Sequence, residues 1–232
     1  RGRDPILYGI RGENPEAVLR GHGIVKANES VERWVIFRTN HGTDDHLSRL
    51  PSIAEASPYQ PVIVTGRVSA IPITISGGHV IVGLSDNSGE IDCAAYEPTG
   101  SFRDIVRKLI LGDLVEAYGG IRRGTRTHLR TLNLEKIKVL DLAQDIRFEN
   151  PRCSKCGKRM ESAGRGQGFR CQKCKMEDHN ARKISVVVER TLAPGMYLPP
   201  PRAHRHLTKP ITRYGKEKTS ADFSFIEPWH SP

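Results

Sequence analysis

Four of the five cysteines stand in two pairs, Cys153-Ser154-Lys155-Cys156 and Cys171-Gln172-Lys173-Cys174, with 14 residues between them. Zinc takes four ligands at the corners of a tetrahedron, and each CxxC turn can supply one edge of it. Four thiolates leave no open coordination position, so a zinc held by Cys153, Cys156, Cys171 and Cys174 is structural rather than catalytic. Gly157 follows the first pair, where a tight knuckle needs a residue free of a side chain. Cys93 stands alone in a strand-like run and reads as a small core residue. No apolar leader precedes the fold, so a disulfide framework is not expected, and a reducing, cytoplasmic location is.

A second group of residues has the chemistry of nucleic-acid contact. Between the cysteine pairs runs Gly164-Arg165-Gly166-Gln167-Gly168-Phe169-Arg170. Arg165 and Arg170 can pair with phosphate bidentately, and Phe169 can stack a base; a plain ribbon hairpin with Phe169 packed on the knuckle is the equal alternative. Arg122, Arg123, Arg126 and Arg130 fall within nine residues between two strand-like runs, a pattern for phosphate contact against which stands a merely solvated hairpin. Tyr96 and Tyr118 are open to either base stacking or core burial. Arg205 and Lys209 extend the basic set toward the C-terminus. A polar loop holds His41, Asp44, Asp45 and His46, and its carboxylates fit a cationic amine as well as plain solvent.

Charge supports a polyanionic partner. The net charge is +10, yet residues 1–150 are neutral, with 19 basic and 19 acidic side chains. Residues 151–232 hold 17 against 7, the whole excess, and such asymmetry points to nucleic acid. No run of 18 apolar residues exists, which excludes a helical membrane span.

The elements that position these residues follow from periodicity. Residues 1–56 read as a strand at Ile6–Ile10, a helix started by Asn14 and Pro15 and stopped by Gly21 or Gly23, and a strand at Trp34–Phe37. This is the C-terminal part of a ferredoxin-like α+β domain; the start at Arg1, without methionine, reads as a cut from a longer protein. Residues 57–148 alternate in strands: Val62, Val64 and Val68 with a bend at Gly66, then Val80, Val82 and Leu84, then Ile91, Cys93 and Ala95. A helix capped by Ser101 follows, with Phe102, Ile105, Val106, Leu109 and Ile110 on one stripe. Two more strands close the unit, and a phase change in the last predicts a bulge at Glu135-Lys136. Three strands, a helix and two strands is the order of an OB-fold barrel. Residues 149–192 are the zinc ribbon. Residues 193–232 read as an extended, proline-rich, basic tail, with disorder expected from about 214. The fold class is therefore multidomain, α+β and all-β.

Three strings carry a family resemblance: Tyr8-Gly9-Ile10-Arg11-Gly12-Glu13, then Thr39-Asn40-His41-Gly42-Thr43-Asp44-Asp45-His46-Leu47, then Glu161 through Cys171. With Arg205-His206-Leu207-Thr208-Lys209-Pro210 they resemble the archaeal agmatidine synthase family, the isoleucine-tRNA agmatinylcytidine synthetases, over about residues 1–213. The resemblance implies a tRNA-modifying ligase. It joins agmatine to the wobble cytidine of an isoleucine tRNA with a CAU anticodon, using ATP and magnesium in an N-terminal kinase-like domain. This chain would then hold the tRNA-binding portion and be inactive by itself. The resemblance places agmatine near the ferredoxin-like domain, and Asn40, Thr43, Asp44 and Asp45 are the candidate contacts. The alternative is a non-enzymatic OB-fold and zinc-ribbon nucleic-acid-binding protein.

Overall fold

The computed structural model describes residues 6–124, 130–217 and 226–232, in two compact units: residues up to Asp44 with those from His206 onward, and Asp45–Arg205.

The larger unit is built on a closed barrel. Its strands are β1 (Ser48–Arg49), β2 (Pro61–Thr74), β3 (Val80–Ser85), β4 (Glu90–Ala95), β5 (Leu114–Arg122) and β6 (Thr131–Asp141). β2 pairs antiparallel with both β3 and β5, β3 with β4, and β5 with β6. A parallel pairing of β4 with β6, Cys93 opposite Leu132, closes the barrel and leaves no open edge in the circuit. Every second side chain points inward: Val62, Val64 and Val68, then Val80, Val82 and Leu84, then Ile91, Cys93 and Ala95, all buried. Cys93 is wholly buried, which raises its thiol pKa far above the ordinary value and confirms it as a core residue. The predicted bulge is present. Tyr118 pairs with Lys136 and Gly119 with Leu134, so Glu135 is the extra residue, and Leu134 and Ile137 both face the core across it.

The register of β2 shifts between Val68 and Ile73, and a Cβ on Gly66 would press on the Ser85 carbonyl oxygen at 3.0 Å. One local expectation is corrected. The helix α2 (Phe102–Arg107) buries Phe102 and Val106 as expected, but Ser101 is itself helical and makes no capping bond.

Beyond the barrel, β7 (Asp145–Glu149) pairs with β11 (Ile184–Val188) in a two-stranded arm. The arm leads to a three-stranded ribbon of β8 (Glu161–Ser162), β9 (Phe169–Arg170) and β10 (Glu177–Asp178). The segment from residue 193, expected as an extended proline-rich tail, is held at its start by pairing. Its strand β12 (Gly195–Tyr197) pairs with β6, and Leu192 is buried in the barrel core, because an otherwise exposed length of β6 offers it backbone partners.

The smaller unit contains α1 (Pro15–Ile24), started as the sequence predicts: the Asn14 Oδ1 accepts from the Ala17 N–H at 2.8 Å, and Pro15 opens the helix. The helix runs past Gly21 and Gly23 to Ile24, since neither glycine there takes a left-handed conformation. Residues 6–10 form no strand. Residues 34–37 form only a bridge, Val35 to His230, supported by Ile36 N–H to Trp229 O at 2.7 Å. The final residues 226–232, expected to be disordered, are thus paired against 34–36.

Candidate metal centre and nucleic-acid interface

The two CxxC turns have the same backbone. Gly157 N–H donates to Cys153 O and Lys175 N–H to Cys171 O, while Cys153 N–H donates to Lys158 O and Cys171 N–H to Met176 O. Each turn ends in a left-handed residue, Gly157 at φ 70° and Lys175 at φ 61°. The turns bring the sulfurs of Cys153, Cys156, Cys171 and Cys174 within 4.8 Å of one another, with Cys153–Cys174 and Cys156–Cys171 at 3.4 Å. A zinc at about 2.3 Å from each sulfur sets the sulfur–sulfur edge at about 3.8 Å, so the donor set fits a tetrahedral dication and is too open for disulfides. The backbone N–H of Cys174 donates to the Cys171 sulfur and draws its pKa down to about 6. Cys174 has an N–H donor from Met176, yet the sulfurs of Cys153 and Cys171 beside it leave its pKa at about 11. Crowded thiols that cannot all ionise alone are the chemistry a bound cation resolves.

Phe169 belongs to this centre. It is buried with Cys153, Met160 and Cys171, so it does not offer its face to a base, and the knuckle-packing alternative holds. Arg165 and Arg170 around it are exposed. Gly168 is fixed by space: a Cβ there would meet the Asp178 carbonyl oxygen at 2.2 Å.

On the barrel, Arg122 and Arg123 are exposed, and Arg122 reaches the Tyr96 hydroxyl at 3.5 Å. Arg126 lies outside the described residues. Arg130 turns inward and donates to the Ala56 carbonyl, so it anchors the loop. Tyr118 is buried and donates to Glu116 at 2.7 Å; burial, then the Glu116 carboxylate, raise its pKa far above the ordinary value, and it is a core residue. Tyr96 is half-buried, edge-on to His79 at 5.0 Å. Arg205 pairs with the buried Glu135 at 3.1 Å while staying mostly exposed. Tyr59, which pattern reasoning passed over, is the most exposed large hydrophobic side chain among the described residues, at 80%. Its only sequence signal is the short stretch Pro58-Tyr59-Gln60-Pro61.

In the smaller unit, Lys209 is not a free cation: it pairs with Glu217 and lies 4.6 Å from the Tyr214 ring centre. Asp44 is also committed. Its Oδ1 accepts from Lys209 N–H at 2.7 Å and its Oδ2 from the Tyr214 hydroxyl at 3.2 Å. Arg213 adds bonds to the carbonyls of His41 and Gly42 and to Glu13. Thr43 Oγ1 donates to Asn40 O, closing the turn locally. The structure therefore gives Asp44 a positioning role in fixing residues 207–214, while Asp45 is exposed.

A closed OB barrel with exposed arginines, joined to a four-cysteine ribbon, is the architecture that the site defines. Family models match in the same order: the TiaS FLD domain at 1–46, an OB-fold nucleic acid binding domain at 62–140, and the TiaS C-terminal zinc ribbon domain at 150–192. Over the first and last of these segments the chain is similar to the TiaS family. It is 49% identical over 217 residues, 94% of its length, to the isoleucine-tRNA 2-agmatinylcytidine synthetase TiaS of Staphylothermus marinus, of which it covers 47%. It is 46% identical to that of Archaeoglobus fulgidus, over 92% of this chain and 49% of the relative. Among solved structures, a complex of TiaS with its isoleucine tRNA, AMPCPP and agmatine matches with TM-score 0.72 and 42% identity, over 90% of this chain and 46% of that one. The chain thus spans about half the length of the curated relatives it matches. Two family-specific domain matches disfavour the alternative of an unrelated OB and ribbon protein. Among the described residues no helix is long and apolar enough to cross a membrane.

Proposed function

We propose that these residues are the tRNA-holding portion of an ATP-dependent ligase that conjugates agmatine to the wobble cytidine of an isoleucine tRNA with a CAU anticodon. The observation that carries this reading is the match over 90% of the chain to a TiaS bound to an isoleucine tRNA, AMPCPP and agmatine. Cys153, Cys156, Cys171 and Cys174 hold a zinc that fixes the ribbon. Arg122, Arg123, Arg126, Arg165, Arg170 and Arg205 meet phosphates, while Arg130 anchors the barrel loop, Phe169 packs the knuckle and Lys209 fixes the segment around Asp44. The guanidinium of agmatine is assigned to the loop of Asn40, Thr43, Asp44 and Asp45, with Asp44 keeping that loop in shape. Residues 57–148 and 149–192 are the proposed limits of barrel and ribbon, preceded by the ferredoxin-like part at 1–56. ATP and magnesium belong to a kinase-like domain outside these residues. Among the described residues the one cluster of metal-ligating groups is the cysteine quartet, and phosphoryl transfer needs metal-holding carboxylates.

The test separates binding from chemistry. The 232 residues are expected to bind a transcript of the CAU-anticodon isoleucine tRNA and to incorporate no radiolabelled agmatine with ATP; adding the kinase-like domain in trans should restore incorporation. Labelled tRNA formed by the 232 residues alone would overturn the division of labour, and absence of tRNA binding would overturn the reading itself.

Salt dependence tests the barrel loop. Counterion release predicts a steep loss of affinity as ionic strength rises. Replacing Arg122, Arg123 and Arg126 together by glutamine should flatten the log–log slope by about two to three, at roughly 0.7–0.9 per phosphate contact. An unchanged slope would place the loop outside the interface.

A further inference from the structure

We propose that Tyr59 is a stacking platform for an unpaired RNA base whose neighbouring phosphates meet Arg122 and Arg123. This rests on the RNA-binding reading above and adds to it a specific contact of a different physical kind.

Three observations converge on Tyr59. Its ring is 80% exposed and makes no hydrogen bond or ring contact with the described residues, so packing does not account for it. Its backbone is left-handed, φ 69°, a conformation that costs a bulky side chain and that glycine adopts freely. Its position is nevertheless rigid: Tyr59 N–H donates to Ile121 O at 2.8 Å, Ile121 N–H to Gln60 O at 2.9 Å, and Gln60 N–H to Ser57 O at 3.2 Å. Pro58 and Pro61 stiffen the turn from either side. An exposed aromatic held against its own backbone preference fits a surface awaiting a ligand rather than a core.

The same backbone bonds tie the turn of Tyr59 to a strand that ends in cations. Ile121 leads directly into exposed Arg122 and Arg123, and Arg130 at the far end of the loop donates to the carbonyl of Ala56. Both ends of the arginine loop are thus fastened to the turn that carries Tyr59. Residues 56–61 and 119–124 contain no acid, and the adjacent Glu55 accepts from Ser52. An exposed ring on a turn fastened to an arginine-bearing strand suits a base whose backbone phosphates lie alongside, and stacking on such a ring is tolerant of sequence. A protein surface covering the ring is the competing occupant.

The experiment titrates a transcript of the CAU-anticodon isoleucine tRNA into the 232-residue chain, parent against Tyr59→Gly and Tyr59→Phe, across a range of salt. Tyr59→Gly removes the ring and relieves the backbone, so it should melt no lower than the parent and bind roughly 5- to 150-fold more weakly, the range of one base–aromatic stack. Its salt slope should be unchanged, unlike that of the arginine variants. Tyr59→Phe, which keeps the ring, should bind like the parent. A Tyr59→Gly affinity within twofold of the parent would overturn the proposal and leave the RNA-binding reading standing, as would a loss that Tyr59→Phe shares. A parent chain that binds no tRNA would overturn both.

Discussion

Stripping the metal with a strong chelator, or Cys171→Ser, is expected to release one zinc per chain and unfold the ribbon while the barrel stays folded. The ribbon has almost nothing else to hold it. Its strands are two residues each, and its buried cluster is Cys153, Met160, Phe169 and Cys171, two of them ligands. So few side chains cannot offset the entropy of ordering some 40 residues. In small zinc peptides the metal supplies roughly 10–16 kcal/mol, which is then the folding energy itself. The barrel core from Ile53 to Leu192 shares no residue with the ribbon cluster and should not respond. Hydrogen exchange gives the measurement. The amides of Cys153, Gly157, Met160 and Cys171, all bonded within the knuckles, should lose protection on chelation, and those of Val64 and Val82 should keep theirs. Ribbon amides that stay protected without metal, or a preparation holding no zinc, would refute the assignment.

What was legible in the sequence had local causes. Alternation revealed the barrel because a strand's side chains point to opposite faces, and the one-residue phase change between Leu134 and Ile137 located the bulge at Glu135. The cysteine quartet was legible because each CxxC turn is complete within a few residues. What was not legible depended on partners far along the chain. Trp34–Phe37 looked like a full strand, yet its one bridge is to His230, and whether a stretch forms a strand depends on a neighbour no local pattern shows. The proline-rich stretch after residue 193 gave no sign that Gly195–Tyr197 would pair with β6.

The site divided the same way. Residue type showed which side chains could meet RNA, but not which were already engaged. Lys209 is spent on Glu217, Arg130 on Ala56 and Asp44 on Lys209 and Tyr214. Phe169 was undecidable because an aromatic beside a knuckle serves a core or a base equally well. Tyr59 escaped notice because its exposure and left-handed backbone exist only in three dimensions.

Asp113→Asn is expected to destabilise the barrel unit by about 3–5 kcal/mol, the range for breaking one side of a buried ion pair. Asp113 stands at the start of β5, fully buried, and its carboxylate has four donors. Ile110 and Ala143 give backbone N–H groups at 2.9 Å each, and Arg190, 77 residues away, gives two guanidinium bonds at 2.5 and 2.7 Å. Arg190 also donates to the carbonyls of Lys108 and Ala143, so one ion pair fastens the end of α2, the start of β5 and the chain leaving β11. Asparagine has a single acceptor oxygen, and its NH2 would face donors. Burial by itself would raise the Asp113 pKa, but the Arg190 bonds and the two backbone N–H groups outweigh it and hold the pKa below the ordinary aspartate value. The sign of the pH dependence follows. A carboxyl with a depressed folded pKa contributes stability that is fully present above its unfolded pKa, near 3.8, and that is lost as pH falls through the folded pKa. Urea denaturation from pH 7 down to about pH 2 should therefore show the parent losing stability below about pH 4. Asp113→Asn should start lower at neutral pH and lose less in acid, so the two curves converge. Parallel curves would mean that Asp113 is not the group titrating, and a neutral-pH loss under about 1 kcal/mol would mean that the pair does not join these segments.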